Sequence, residues 1–322
     1  MSRTALYISD NGTIKWEHGG KLYCLHIQRD SDPENPRNWE GDDTRLTTMA
    51  CWHRRYNLGD ANVTKGLTPE DFWEKLVKEN VSDAEIAEAA VAGRFAYIRI
   101  TENKEREDLV TVSWFSESGK AEIEETISRD TIADAIRHDL STEDCLALME
   151  PHAEWMPIWL YDHSGITISC GARTSQYADR WDSSQLGFIV MLKENAMKGL
   201  VEYILDEKGE PIRDGEHGYK TRPLTEETWR ARAIEVMKGE IETYDLYLTG
   251  EVFGFTLYES DPVEDDETPN WEETDSCWGF FGDDLLTNGI LDHVGQGLQE
   301  AIAADNYEQG EAVLHTASWY KF

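Results

Sequence analysis

Residues 95–127, FAYIRITENKEREDLVTVSWFSESGKAEIEETI, contain three short β-prone runs, Phe95–Thr101, Leu109–Phe115 and Ala121–Ile127. The linkers between them, ENKERED and SESGK, have hairpin length and turn composition, so an antiparallel meander is expected here. Helix signals lie on both sides rather than between the strands. Upstream, Thr68-Pro69 reads as an N-cap with Pro in the first turn, and Phe72, Trp73, Leu76 and Val77 share one helical face. Ser82-Asp83-Ala84-Glu85 reads as a capping box opening a second helix that Gly93 closes. Downstream, Ser128 and Ser141 read as N-caps of two short helices. Clustered strands flanked by helices predict an α+β fold with largely antiparallel sheet, not a doubly wound parallel one.

The flanks extend this pattern. Lys21–Gln28 and Thr47–Trp52 read as strands around a Pro- and Asp-rich loop, Asp30–Asp43. PIWLYD, GITIS and LGFIVMLK supply apolar strand pieces within 157–193. One long amphipathic helix is expected near 225–248, where Trp229, Ala233, Val236, Met237, Ile241 and Tyr244 recur at three- and four-residue spacing. Strands at 253–258 and 276–281 are separated by an acidic, Pro-bearing loop, and a helix from Leu298 to Asn306 precedes a last strand, AVLHTASWYKF. Residues 1–65 and 151–322 are expected to form the main α+β domain, with 66–150 an inserted or variable subdomain.

Charge is the most informative compositional feature. The chain of 322 residues has 64 acids against 30 Lys and Arg, a net charge of −34. No Lys or Arg occurs from Gly239 to Tyr320, a span of 82 residues holding 20 acids, so the other 240 residues share only −14. Such a field repels phosphates and attracts basic surfaces, which argues against direct nucleic-acid binding. Adaptation to high salt would spread acids over the whole surface, whereas here they are localised. No run of 18 apolar residues exists, and the N-terminus MSRTALYISDNG lacks the apolar stretch of a secretory signal, so a cytoplasmic protein without membrane association is expected. Five scattered cysteines with no CxxC pair read as reduced thiols.

Four segments carry a resemblance: NPRNWEGDDTRLTTMACWHRRYNLGD (35–60), WLYDHSGITIS (159–169), WDSSQLGFIVMLKENAMKG (181–199), and GEIETYDLYLTGEVFGF with DSCWGFFGDDLLTNGILDHV (239–255, 275–294). Covering about a third of the chain, they resemble a family of uncharacterised intracellular proteins encoded by tailed bacteriophages and some archaeal viruses. The resemblance implies a phage-encoded accessory protein in the host cytoplasm and assigns no activity to particular residues.

Chemistry-bearing residues are sparse. His53, Asp162, His163 and Cys277 sit at strand ends or within apolar strands, and with Asp182 and His293 they are the candidates for a hydrolase acting on a nucleotide or signalling molecule. No HExxH, HxH, GxGxxG or GxxxxGK[ST] pattern accompanies them, so neither a metal nor a cofactor is expected. The basic clusters Arg37–Arg55 and Arg213–Arg232 read as internal neutralisers of carboxylates. Trp271 lies inside the densest acidic run, and interface anchors favour Trp while acidic rims steer basic partners. The leading expectation is a non-catalytic inhibitor that binds the basic surface of a host defence protein, as a nucleic-acid mimic, through Glu264, Asp265, Asp266, Glu267, Trp271, Glu272, Glu273 and Asp275. The alternatives are the hydrolase, or an assembly component acidic only for solubility; a homo-oligomer is compatible with either.

Overall fold

The computed structural model describes residues 6–7, 11–39, 45–60, 62–116, 118–172, 182–215, 218–263, 268–295 and 297–311. In chain order these form β1 (Asn11–His18), β2 (Lys21–Arg29), β3 (Thr47–Cys51), α1 (Pro69–Asn80), α2 (Asp83–Val91), β4 (Ile98–Glu102), β5 (Leu109–Phe115), β6 (Ala121–Ser128), α3 (Ile132–Ile136), α4 (Thr142–Met149), β7 (Ala153–Asp162) and β8 (Ile166–Cys170). There follow β9 (Ser183–Leu192), α5 (Lys193–Gly199), β10 (Val201–Tyr203), β11 (Thr221–Pro223), α6 (Trp229–Thr249), β12 (Val252–Ser260), β13 (Glu272–Phe281), α7 (Ile290–His293), α8 (Leu298–Ala303) and β14 (Glu308–Glu311). The fold is α+β with antiparallel sheets. Residues 1–40, 161–169 and 240–322 gather into one compact unit, and residues 41–160 and 170–239 into a second. None of the described helices is long and apolar enough to cross a membrane.

The second unit contains the meander, ordered β4-β5-β6 with antiparallel pairing. β4 begins three residues later than its apolar run, at a bend where the Ala96 N–H donates to the Asp144 carboxylate at 3.2 Å. Capping boxes open α1 (Thr68 with Asp71), α2 (Ser82 with Glu85) and α4 (Ser141 with Asp144). Ser128 caps nothing through its side chain, because a 3-10 turn over 129–131 intervenes before α3. The apolar faces of these helices and the inner residues Val110 and Val112 of β5 share one core with Ala50 of β3 and Val190 of β9. Trp73 makes edge-to-face contacts there with Phe72, Trp155 and Phe188, at centroid separations of 5.5, 5.5 and 5.2 Å. β3 runs against β9 so closely that a Cβ on Gly187 would lie 1.9 Å from the Ala50 carbonyl oxygen.

The first unit is organised by a five-stranded sheet ordered β13-β12-β2-β1-β14. β1 was not expected from the sequence; its signal is the two-residue turn Gly19-Gly20, at φ 60° and 77°, between NGTIKWEH and KLYCLHIQR. One face places Ile14, Trp16, Tyr23, Leu25, Ile27, Phe253, Phe255 and Leu257 against α7 and α8 residues including Ile290 and Leu298. α8 ends at Ala303, short of the expected Asn306, and the expected strand at 312–322 lies outside the described residues. α6 starts at Trp229, four residues after Thr225, because Thr225–Thr228 form a hydrogen-bonded turn. Its residues Trp229, Ala233, Met237, Ile241 and Tyr244 are buried, but residues 245–248 are all partly buried, so the helix lacks the two clean faces expected of it.

Central strand β2 is buried on both faces, and its His26, 1% exposed, is 2.6 Å from Asn11 Oδ1 through Nε2. Burial pushes its imidazolium pKa down to about 4 from the usual 6.5. The folded state therefore keeps His26 neutral while the unfolded chain takes up a proton, so stability falls as pH drops from about 6.5 towards about 4. The expected loss reaches roughly 3 kcal/mol. Urea unfolding of wild type and His26→Gln between pH 7 and pH 4 checks this: the curves should diverge by about that amount on acidification, and parallel curves contradict it.

Candidate interaction surface on the acidic edge strand

β13 forms one edge of the five-stranded sheet, hydrogen-bonded on one side to β12. The sequence places a loop up to Asp275, but β12 continues to Ser260 and β13 begins at Glu272, with Glu259 opposite Glu272 and Tyr258 opposite Glu273. The Glu259–Glu272 apposition is relieved by Lys21, whose ammonium lies 2.7 Å from Glu259. Irregular pairing at Leu257/Tyr258 and at Phe253/Gly254, the second opposite Gly279 at φ 89°, breaks the strand's regularity as protected edges commonly do. Glu272, Glu273, Thr274, Asp275 and Ser276 are consecutively exposed. Three of the expected contact carboxylates are therefore fixed on a strand, while Glu264, Asp265, Asp266 and Glu267 lie outside the described residues.

Two tryptophans belong to this strand's surroundings. Trp278, inside an apolar run, reads as a core residue, yet it is 45% exposed. Its indole covers its partner Gly254, where a Cβ would be 2.0 Å from the ring. Trp271, partly buried, lines a cleft of about 460 Å³ with Lys15, Trp16, Glu17, Tyr23 and Tyr307 among its walls. Trp16 and Tyr23 stack at 5.3 Å, and the Lys15 ammonium is 5.8 Å from the Trp271 ring centroid. Burial lowers the Lys15 pKa, opposed by Cys24 and Glu308. Trp39, the other loop tryptophan, is 47% exposed and meets Phe281 edge-on at 5.9 Å.

The suspects for hydrolysis divide between the two units. His53 lies in the second unit, where its Nδ1 accepts from the N–H groups of Arg55 and Tyr56 at 3.3 and 3.2 Å and its ring stacks on Tyr56. Asp162, His163 and Cys277 lie in the first unit. His163 occupies a turn, stacked on Tyr161 and 3.3 Å from the Ser164 hydroxyl. Cys277 packs against the apolar cluster behind β13, and His293 meets Phe280 edge-on. Asp284 is structural: its Oδ1 accepts from the Leu6 and Leu286 N–H groups at 2.8 and 3.1 Å. Asp245, whose pKa burial raises, accepts from Thr167 Oγ1 and the Ile168 N–H at 2.8 and 2.7 Å. No cluster of three or more His, Cys, Asp or Glu among the described residues could hold a metal ion. Several members of the basic islands pair within the fold, as Arg37 with Glu240, Arg222 with Glu202 and Arg230 with Glu154.

No protein-family model, curated protein or solved structure matches this chain. The surface combines exposed carboxylates on a paired strand, an indole over Gly254 and a cleft of aromatic and acidic groups.

The seating of Trp278 is directly testable. Gly254→Ala places a methyl where the indole rests, and the expected cost is about 1–3 kcal/mol. In a Trp278→Ala background the same substitution should cost less than half as much. Equal costs in the two backgrounds, measured by denaturant unfolding, contradict the assigned contact.

Proposed function

We propose that this chain is a phage-encoded, non-catalytic accessory protein that inhibits a host defence protein by occupying its basic, nucleic-acid-binding surface. The observation that carries this reading is the exposed run Glu272–Ser276 on edge strand β13, set in a span from Gly239 to Tyr320 without a single Lys or Arg. Successive residues of a strand rise about 3.3 Å and point to alternating faces, while each strand of a duplex presents one phosphate per ~3.4 Å of helix axis. A surface built for duplex phosphate meets a dense set of exposed negative charges here. Direct nucleic-acid binding by this surface is disfavoured for the same electrostatic reason. The resemblance of four sequence segments to phage-encoded proteins supports the assignment of a host-directed role.

Inhibition by mimicry is competitive and salt-sensitive. Immobilised chain should capture a basic protein from bacterial host extract at about 50 mM salt, lose it at about 500 mM, and release it to duplex DNA, as counterion release requires. The combined variant Glu272→Gln, Glu273→Gln and Asp275→Asn should reduce capture at least tenfold while the unfolding midpoint stays near wild type. Undiminished capture by that variant, or capture that duplex DNA does not displace, contradicts the proposal.

A further inference from the structure

The cleft beside Trp271 has a chemistry of its own. Its walls combine the Trp271 indole and Tyr307 with the stacked pair Trp16 and Tyr23, and three of its charged residues, Glu17, Asp305 and Glu308, are exposed carboxylates. Lys15 is the one basic residue among the described residues lining it, so the cleft carries a formal charge of −2. An entering anion meets three carboxylates. An entering cation meets ring faces and carboxylates together, the combination by which aromatic cages hold alkylated ammonium and guanidinium groups.

The chain already uses this ring as a cation acceptor, because the Lys15 ammonium stands 5.8 Å from the Trp271 centroid. We propose that the Trp271 cleft is a receptor for one arginine side chain of the basic partner. The inference rests on the proposed function and names the anchor point of that same surface: Glu272 follows Trp271 directly, so the strand's carboxylates lead into the cleft. Arginine fits better than lysine. Its planar guanidinium stacks on indole while its N–H groups reach carboxylates in the ring plane, whereas an ammonium is a compact, strongly hydrated charge. At about 460 Å³ the cleft has the size of a small-ligand site and accommodates the backbone flanking the arginine as well. Lys15 is the internal competitor. Burial disfavours its charged form, with Cys24 and Glu308 opposing, so its ammonium is held there at a cost that an incoming guanidinium exploits.

The test is titration of the intact chain with acetyl-arginine amide and its uncharged isostere acetyl-citrulline amide. Binding is followed by calorimetry and by the indole NMR resonance that disappears in Trp271→Phe. Arginine amide should bind saturably and shift that resonance, with citrulline amide at least tenfold weaker. Trp271→Ala and, independently, Glu308→Gln should weaken arginine binding, while Lys15→Met should tighten it several-fold by removing the competitor. Equal binding of the two amides, no loss in Trp271→Ala and Glu308→Gln, or weaker binding in Lys15→Met overturns the inference. The β13 variant Glu272→Gln/Glu273→Gln/Asp275→Asn separates the two levels. Salt-sensitive capture that depends on those carboxylates, without arginine binding in the cleft, defeats this inference alone. Capture indifferent to them defeats the proposed function, whatever the cleft binds.

Discussion

An edge strand leaves one row of backbone N–H and C=O groups unpaired by its own sheet, and that row invites association with other chains. In the first unit the constraint falls on β13, because β2 and β12 occupy the buried centre and their large apolar side chains require the sheet to continue outward. The edge carries three carboxylates, two irregularities and an indole laid over Gly254. Like charges repel a second copy of the same edge, while the same charges attract a basic surface. Protection from self-association and the proposed selectivity for a basic partner thus rest on one arrangement.

Charge is distributed accordingly. Several basic residues that the sequence groups into islands pair internally, with Arg37 buried against Glu240 and Arg230 bridging Glu154 and the Glu150 carbonyl. Exposed pairs such as Arg222 with Glu202 contribute little to stability. They do remove positive charge from competition with an incoming partner. From Gly239 to Tyr320 the chain has no Lys or Arg, and the carboxylates of β13 are exposed.

Much of the fold was legible where local chemistry is decisive. Thr68-Pro69, Ser82 and Ser141 cap their helices because a hydroxyl with an acid three residues later satisfies the first free N–H groups. The meander over β4–β6 follows from alternation and hairpin-length linkers. Reading failed where tertiary pairing overrides composition. Glu272–Asp275 look like a solvated loop, yet hydrogen bonding to β12 extends them into strand. Trp278 looks like core, yet Gly254 provides a shelf that only the register reveals. β1 was missed although Gly19-Gly20 marked its hairpin, and the cleft was invisible because Lys15, Trp271 and Tyr307 are far apart in sequence. Trp271 stands out in the sequence through its acidic neighbours, whereas the aromatic ones around it are distant in the chain.

The proposed contact surface for a basic partner is β13 with the adjoining cleft. Amide hydrogen exchange, with and without an arginine-rich duplex-binding peptide, tests it most directly. At low salt the account predicts slowed exchange confined to residues 268–281 and the cleft strands, abolished at high salt. Slowing confined to the second unit, or no slowing at low salt, would contradict it.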